Sequence, residues 1–262
     1  MRRLCFTVDV DRDVNERIPG RIDAVSINSG GKARFTSSGK GTDIIMDMLD
    51  ETGVKATFFA EAATLGKISA DLGNNEVAMH GLDHEDMTGE VSGIELSSEQ
   101  LIDIMRTSIH IIEDRTGSTP KGFRAPYMRT NGKITAALSE IGMVYDSSVY
   151  APISAVFNPY DIGGGLKEIP VPTGVDASGN KITAYLWPMH EGIRTPDDYI
   201  RLADTMNEGI FTIATHSWHM VESRSGLMSP EQTEKNIANT KKVITSLLDN
   251  GFKAVRMIDA IQ

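Results

Sequence analysis

Cysteine is nearly absent from the 262 residues: Cys5 stands alone, and one thiol excludes an intrachain disulfide framework. Long apolar runs are also missing. No stretch approaches the roughly 18 residues of a membrane-crossing helix, and Met1-Arg2-Arg3 leads into a strand-like segment rather than a signal peptide. Basic residues are in deficit, 26 Lys and Arg against 36 Asp and Glu, for a formal charge of −10. With no Lys/Arg run, the electrostatic footprint of nucleic-acid binding is lacking. These absences predict a cytoplasmic protein without nucleic-acid partners and without a membrane span. The hydrophobic share of 40% suffices to bury a sizeable core. No fixed-period repeat, low-complexity tract or linker interrupts the chain, so residues 1–262 read as one domain, with a homo-oligomer left open.

What recurs is an apolar-periodic stretch that ends in glycine and is followed by a β-rich run. Gly53, Gly117, Gly142, Gly209 and Gly251 stand at the five joins, each read as a helix stop before a strand, since glycine tolerates the left-handed conformation that closes a helix. Helix starts agree: Ser97-Ser98-Glu99-Gln100 and Ser229-Pro230-Glu231-Gln232 fit the capping box, and Thr195-Pro196-Asp197-Asp198 is similar. Leu101, Met105, Ile109 and Ile112 form one helical stripe. Strand, helix, strand repeated predicts an α/β fold with a mostly parallel sheet. Residues 13–40 are too long for a tight turn and read as a loop at the functional end. The polar clusters follow strands spread from residue 9 to residue 216, which favours a barrel over an open sheet with one switch point.

Four of those clusters carry chemistry. In Leu4-Cys5-Phe6-Thr7-Val8-Asp9-Val10-Asp11, alternation places Asp9 and Asp11 on one face, where two carboxylates need a cation or donors unless the strand end is simply solvated. His80-Gly81-Leu82-Asp83-His84 spaces two imidazoles to meet on one face of a helical turn. With Asp11 they make a two-His, one-carboxylate set with open positions, the pattern of a catalytic zinc site. Arg124-Ala125-Pro126-Tyr127 offers an arginine for a bidentate pair with Asp9 and a stiffened turn that presents the Tyr127 N–H, the alternative being a surface arginine before a turn. Phe211-Thr212-Ile213-Ala214-Thr215-His216 ends a strand on a candidate general acid, with His219 read as a packing or rim histidine. His110 falls opposite its helix's apolar stripe and is expected in solvent. Trp187-Pro188-Met189-His190 reads either as groove lining or as ordinary packing, and Cys5 as a buried small hydrophobe.

In order and spacing these motifs resemble the polysaccharide deacetylases, the NodB-homology enzymes of carbohydrate esterase family 4, from residue 4 to about 258. The resemblance implies a distorted (β/α) barrel of seven or eight strands and a hydrolase that removes an N-acyl group, acetyl foremost, from an amino sugar, polysaccharide, peptidoglycan-type substrate or precursor. It also implies roles: Asp9 the general base, His80 and His84 the ligands of a divalent metal, Arg124 the tether of Asp9, the Tyr127 N–H an oxyanion donor, and His216 the acid for the leaving amine. Zinc is the foremost metal, with cobalt, nickel, manganese and iron compatible. The sequence departs from the family pattern in three places. Valine occupies position 10, where the family has a second aspartate, so Asp11 is the expected third ligand. Ala214 replaces the usual leucine two before the last histidine. The aspartate that pairs with the catalytic histidine has no clear equivalent, and Asp146 is the candidate. Two other readings remain: a metal-free cyclic amide or ureide hydrolase of the allantoinase kind, and a catalytically silent carbohydrate-binding barrel.

Overall fold

A computed structural model describes residues 1–155 and 158–261. Its main sheet runs through β1 (Arg2–Val10), β2 (Thr57–Ala60), β3 (Glu76–Met79), β4 (Gly122–Phe123), β5 (Tyr145–Asp146), β6 (Tyr160–Asp161), β7 (Lys167–Glu168) and β8 (Gly209–His216). The spatial order is β8-β1-β2-β3-β4-β5-β7-β6, and β9 (Lys253–Ala254) pairs with the start of β1. Every neighbouring pair is parallel except β6 with β7. Parallel pairing requires long crossovers, supplied on the outside by α1 (Thr36–Thr52), α2 (Ser98–Thr116), α3 (Gly132–Glu140), α4 (Pro196–Asp204) and α5 (Pro230–Asp249). Among the described residues no helix is long and apolar enough to cross a membrane.

The sheet curls into the expected distorted barrel. At one end, β8 is joined by a narrow patch of hydrogen bonds to a separate small sheet formed by Tyr150–Pro152, Val171–Val175 and Lys181–Thr183. Leu186 N–H donates to the Ala214 carbonyl at 2.8 Å, Ala214 N–H to Ala184 at 2.9 Å, and Ala184 N–H to Pro172 at 2.7 Å, linking β8 to the chain beyond β7.

β1 shows why the site forms where it does. Leu4, Phe6, Val8 and Val10 point outward into the large core beneath the helices, while Cys5 joins Phe59, Ala78, Tyr145 and Met257 in a small inner cluster. Thr7 and Asp9 share the Cys5 face by alternation and are likewise buried, so the inner face turns polar towards the C-terminal end of the strand.

Capping boxes close the starts of α2, α4 and α5 at Ser97, Thr195 and Ser229, and Gly53 and Gly117 end α1 and α2 in left-handed conformations. Two expectations are corrected. α4 ends at Asp204, so Gly209 is the first residue of β8 and not a helix stop. The loop after β1 ends at Phe35, because Asp13 Oδ1 accepts the Ser38 N–H at 2.8 Å and starts α1 within the stretch read as loop.

Candidate active site

Register brings the first pair together. β1 and β8 run parallel with Asp9 opposite His216, both on the inner face at the strand ends. Asp9 is buried, and Arg124, itself fully buried, donates to it from Nη1 at 2.8 Å. The contact uses one nitrogen and is not the expected bidentate pair. Nη1 also reaches Thr7 Oγ1 at 2.9 Å, while Nε and Nη2 are taken by the Ser147 carbonyl and hydroxyl at 3.1 and 3.0 Å. Burial pushes the Asp9 carboxyl up, but Arg124, His80 and His216 outweigh it and hold the group below its ordinary range. Asp9 is therefore an anion at neutral pH.

A residue overlooked in the sequence joins Asp9 to His216. Tyr185 Oη lies 2.9 Å from Asp9 Oδ2 and 2.7 Å from His216 Nε2. The one hydroxyl proton serves either the carboxylate, with the imidazole in its Nε2–H form, or Nε2, with the imidazole in its Nδ1–H form, and only the second arrangement leaves Nε2 open to take a proton through the phenol. Burial drives His216 down to about 3, so the imidazole rests neutral.

Asp11, His80 and His84 also converge, each offering a ligand atom within 4.8 Å of the others, all three buried. The helical turn expected for 80–84 is absent. The segment is a loop in which Gly81 at φ +80° and His84 at φ +52° reverse the chain. A Cβ at Gly81 would sit 2.6 Å from Glu85 Oε2, the carboxylate that accepts the Leu82 and Asp83 N–H groups and shapes the turn. His80 Nδ1 donates to the Arg124 carbonyl at 2.8 Å, which leaves Nε2 free as a ligand, the usual outer support of a metal-binding histidine. Asn15 Nδ2 steadies Asp11 Oδ2 at 2.9 Å. Burial raises the Asp11 carboxyl, helped by the charges of Glu61 and Asp9, and burial lowers His84. Asp11 Oδ1 and His84 Nδ1 are buried and have no hydrogen-bond partner among the described residues. A buried carboxyl group crowded by like charge, imidazoles kept neutral and polar atoms that no described residue satisfies fit a divalent cation, so the residues present suit the group implied by the resemblance.

Asp146 is placed elsewhere. It accepts from Ser148 Oγ, whose oxygen in turn takes the Ala125 N–H at 2.8 Å, and its neighbour in register is Glu168. It thus braces the Arg124-Ala125-Pro126 turn, whereas the hydrogen-bonded partner of His216 is Tyr185. Tyr127 sits at φ +61° beside His84, ring centroids 4.4 Å apart.

These residues open into a cavity of about 480 Å³ whose aromatic wall is Tyr127, Tyr150, Tyr185, Trp187 and Trp218. Trp187 is the member of the 187–190 run that faces the groove, with Met189 and His190 packed inside. Ala214 is fully buried and absent from the lining. His219 packs inside with Nε2 on Glu191 Oε1 at 2.8 Å, Cys5 is buried with its thiol pushed up, and His110 is exposed. Tyr185 and Trp187 alternate onto one side of the run after Lys181-Ile182-Thr183, and that alternation is the sequence signal that would have exposed Tyr185.

Residues 36–145 match the polysaccharide deacetylase family. Within that segment lie His80, His84, Arg124 and Tyr127. The peptidoglycan deacetylase-like protein FGM2 of Gibberella zeae is 32% identical over 117 residues, 42% of this chain and 32% of that protein. The chain therefore spans about a third of the length of that relative. In three dimensions a Mycobacterium smegmatis protein described as a polysaccharide deacetylase superposes over 98% of this chain and 88% of its own, with TM-score 0.63 and 20% identity. PuuE allantoinase superposes over 99% and 89%, with TM-score 0.65 and 15% identity. The family match, the relative and the shared NodB-like fold bear out the resemblance of this chain to the polysaccharide deacetylases.

Proposed function

We propose that the chain is a metal-dependent hydrolase that removes an acyl group, acetyl foremost, from the nitrogen of an amino sugar in a polysaccharide, a peptidoglycan-type substrate or its precursor. The observation that carries this reading is the meeting in one aromatic-lined cavity of an anchored carboxylate, Asp9, a neutral imidazole, His216, and the Asp11-His80-His84 set. Aromatic faces suit sugar rings, and the three groups suit hydrolysis of an amide.

Asp11, His80 and His84 would hold the ion. A divalent ion there supplies a Lewis acid for the amide carbonyl and lowers the pKa of water from about 16 to roughly 7. Asp9 accepts the proton of the attacking water, its anionic state maintained by Arg124. Tyr185 gives that proton a one-hydroxyl path to His216, and the protonated imidazole delivers it to the amide nitrogen, without which an amine leaves poorly. The Tyr127 N–H faces the developing oxyanion in this reading.

The test is acetate release from N-acetylglucosamine oligomers and peptidoglycan fragments by zinc-loaded and metal-stripped chain. Zinc-dependent release from either substrate supports the reading. No release, with hydrolysis of allantoin by the stripped chain, would transfer the site to metal-free ureide chemistry.

A further inference from the structure

The acidic chain places three arginines on the lining of this cavity. Arg17, Arg129 and Arg224 face it, with Glu16 the one lining carboxylate besides Asp9 and Asp11. Two of them lie over the aromatic walls. The Arg224 guanidinium sits 4.7 Å above the Trp187 ring, which meets His216 edge-on at 5.8 Å. The Arg17 guanidinium sits 4.5 Å above Tyr127, which meets His84 edge-on. Each guanidinium is therefore one ring away from one half of the site, in cation–π contact with that ring, and its N–H groups are the donors an oxyanion would use.

The three differ in how they are neutralised. Arg129 pairs with Glu90 at 3.1 Å, and Arg17 has Asp86 at 3.9 Å. Among the described residues Arg224 has no carboxylate within ion-pairing distance, and Glu191, which accepts its backbone N–H, is engaged by His219. Arg224 also stands at a junction. With Val14 it lines both the main cavity and a neighbouring one of about 260 Å³. A guanidinium that lies over a ring, is unpaired and is set between two cavities is built to receive an oxyanion in the middle of a ligand.

We propose that the substrate is an N-acylated sugar bearing an anionic group, a phosphate or a carboxylate, which Arg224 binds with Arg17 opposite. The inference rests on the amino-sugar reading above and narrows it. In it the anion anchors the sugar, the ring lies between Trp187 and Tyr127, and the acylated nitrogen faces Asp9 and His216.

The test titrates the zinc-loaded chain calorimetrically with N-acetylglucosamine, N-acetylglucosamine 1-phosphate and N-acetylmuramic acid, and measures acetate release from each. At least one charged sugar should bind roughly tenfold or more tightly than the neutral one, the scale of a charge-assisted hydrogen bond, and added salt should erode the gap. R224A should collapse the ratio of charged to neutral affinity towards one, and R224K, which keeps the charge without the planar fork, should retain part of it. The phosphate and carboxylate arms identify which anion is preferred. Equal binding of all three sugars, or a ratio unchanged in R224A, would overturn the proposal even if acetate is released. Arg224-dependent binding without acetate release would leave the anion site standing and overturn the hydrolase reading instead.

Discussion

The two faces of β1 obey different rules. Outward, Leu4, Phe6, Val8 and Val10 are interchangeable in kind, because the core beneath the helices asks only for apolar volume of the right shape. Inward, Thr7 and Asp9 are held by one arginine that also grips Ser147, so each side chain has a specific partner at a specific atom. A strand with such faces lends the rigidity of its packed side to the chemistry of its polar side. The contrast can be tested by damaging each face in turn.

The largest effect is expected from the pair Asp9→Asn and Phe6→Ala. Asp9→Asn should lower kcat by roughly 10²–10⁴-fold, the usual contribution of a general base, while zinc binding persists. Phe6→Ala should instead lower unfolding free energy by about 3–5 kcal/mol and leave kcat per folded molecule near normal. Urea unfolding and steady-state kinetics on both variants distinguish the faces, and a Phe6 variant with intact stability but lost turnover would reverse the account.

Tyr185→Phe comes next. It removes one hydroxyl between Asp9 and His216, so kcat should fall roughly 10- to 100-fold with little change in KM, the scale of a hydrogen bond to a charged group. An unchanged kcat would remove the phenol from the proton path.

A smaller effect concerns pH. Burial pushes Asp146 up to about 7 and Glu168, beside it, to about 9. A carboxyl whose folded pKa lies above its unfolded value binds more protons in the folded state. Its stabilisation is complete below the unfolded value and is lost as pH rises through the folded one. Thermal stability should therefore decline from about pH 4 to about pH 7 through Asp146, with Glu168 extending the decline to about pH 9, and Asp146→Asn, which retains an oxygen for Ser148, should flatten the lower part of that decline. The same slope in both proteins would place the proton elsewhere.

The smallest effect is the control. His110 is exposed on α2, so His110→Ala should alter stability by less than about 0.5 kcal/mol and leave turnover unchanged.

What the sequence disclosed follows the range of the forces involved. Asp9 and Asp11 were legible because strand alternation is local, and the helix starts because a capping box spans four residues. His80 and His84 were found as a pair for an inexact reason. Their spacing suits a helix, but the loop brings them together through left-handed turns at Gly81 and His84 that hydrophobic periodicity does not record. Tyr185 was missed because its value lies in two contacts, one made across 176 positions of chain. Asp146 was misplaced because a carboxylate just inside a barrel looks the same in sequence whether it serves a histidine or braces a turn. The early start of α1 was hidden similarly. The loop before it is fastened by the buried Arg12–Glu61 pair, 49 positions apart, and by Asp13 reaching Ser38.

The central claim is that Asp11, His80 and His84 form a metal centre beside Asp9 and His216. The most direct measurement is a calorimetric zinc titration of the stripped chain, with Asp11→Ala alongside and circular dichroism to confirm that both are folded. About one equivalent should bind to the natural chain, and the folded variant should bind at least tenfold more weakly. Absence of specific binding by the natural chain, or equal binding by Asp11→Ala, would contradict it.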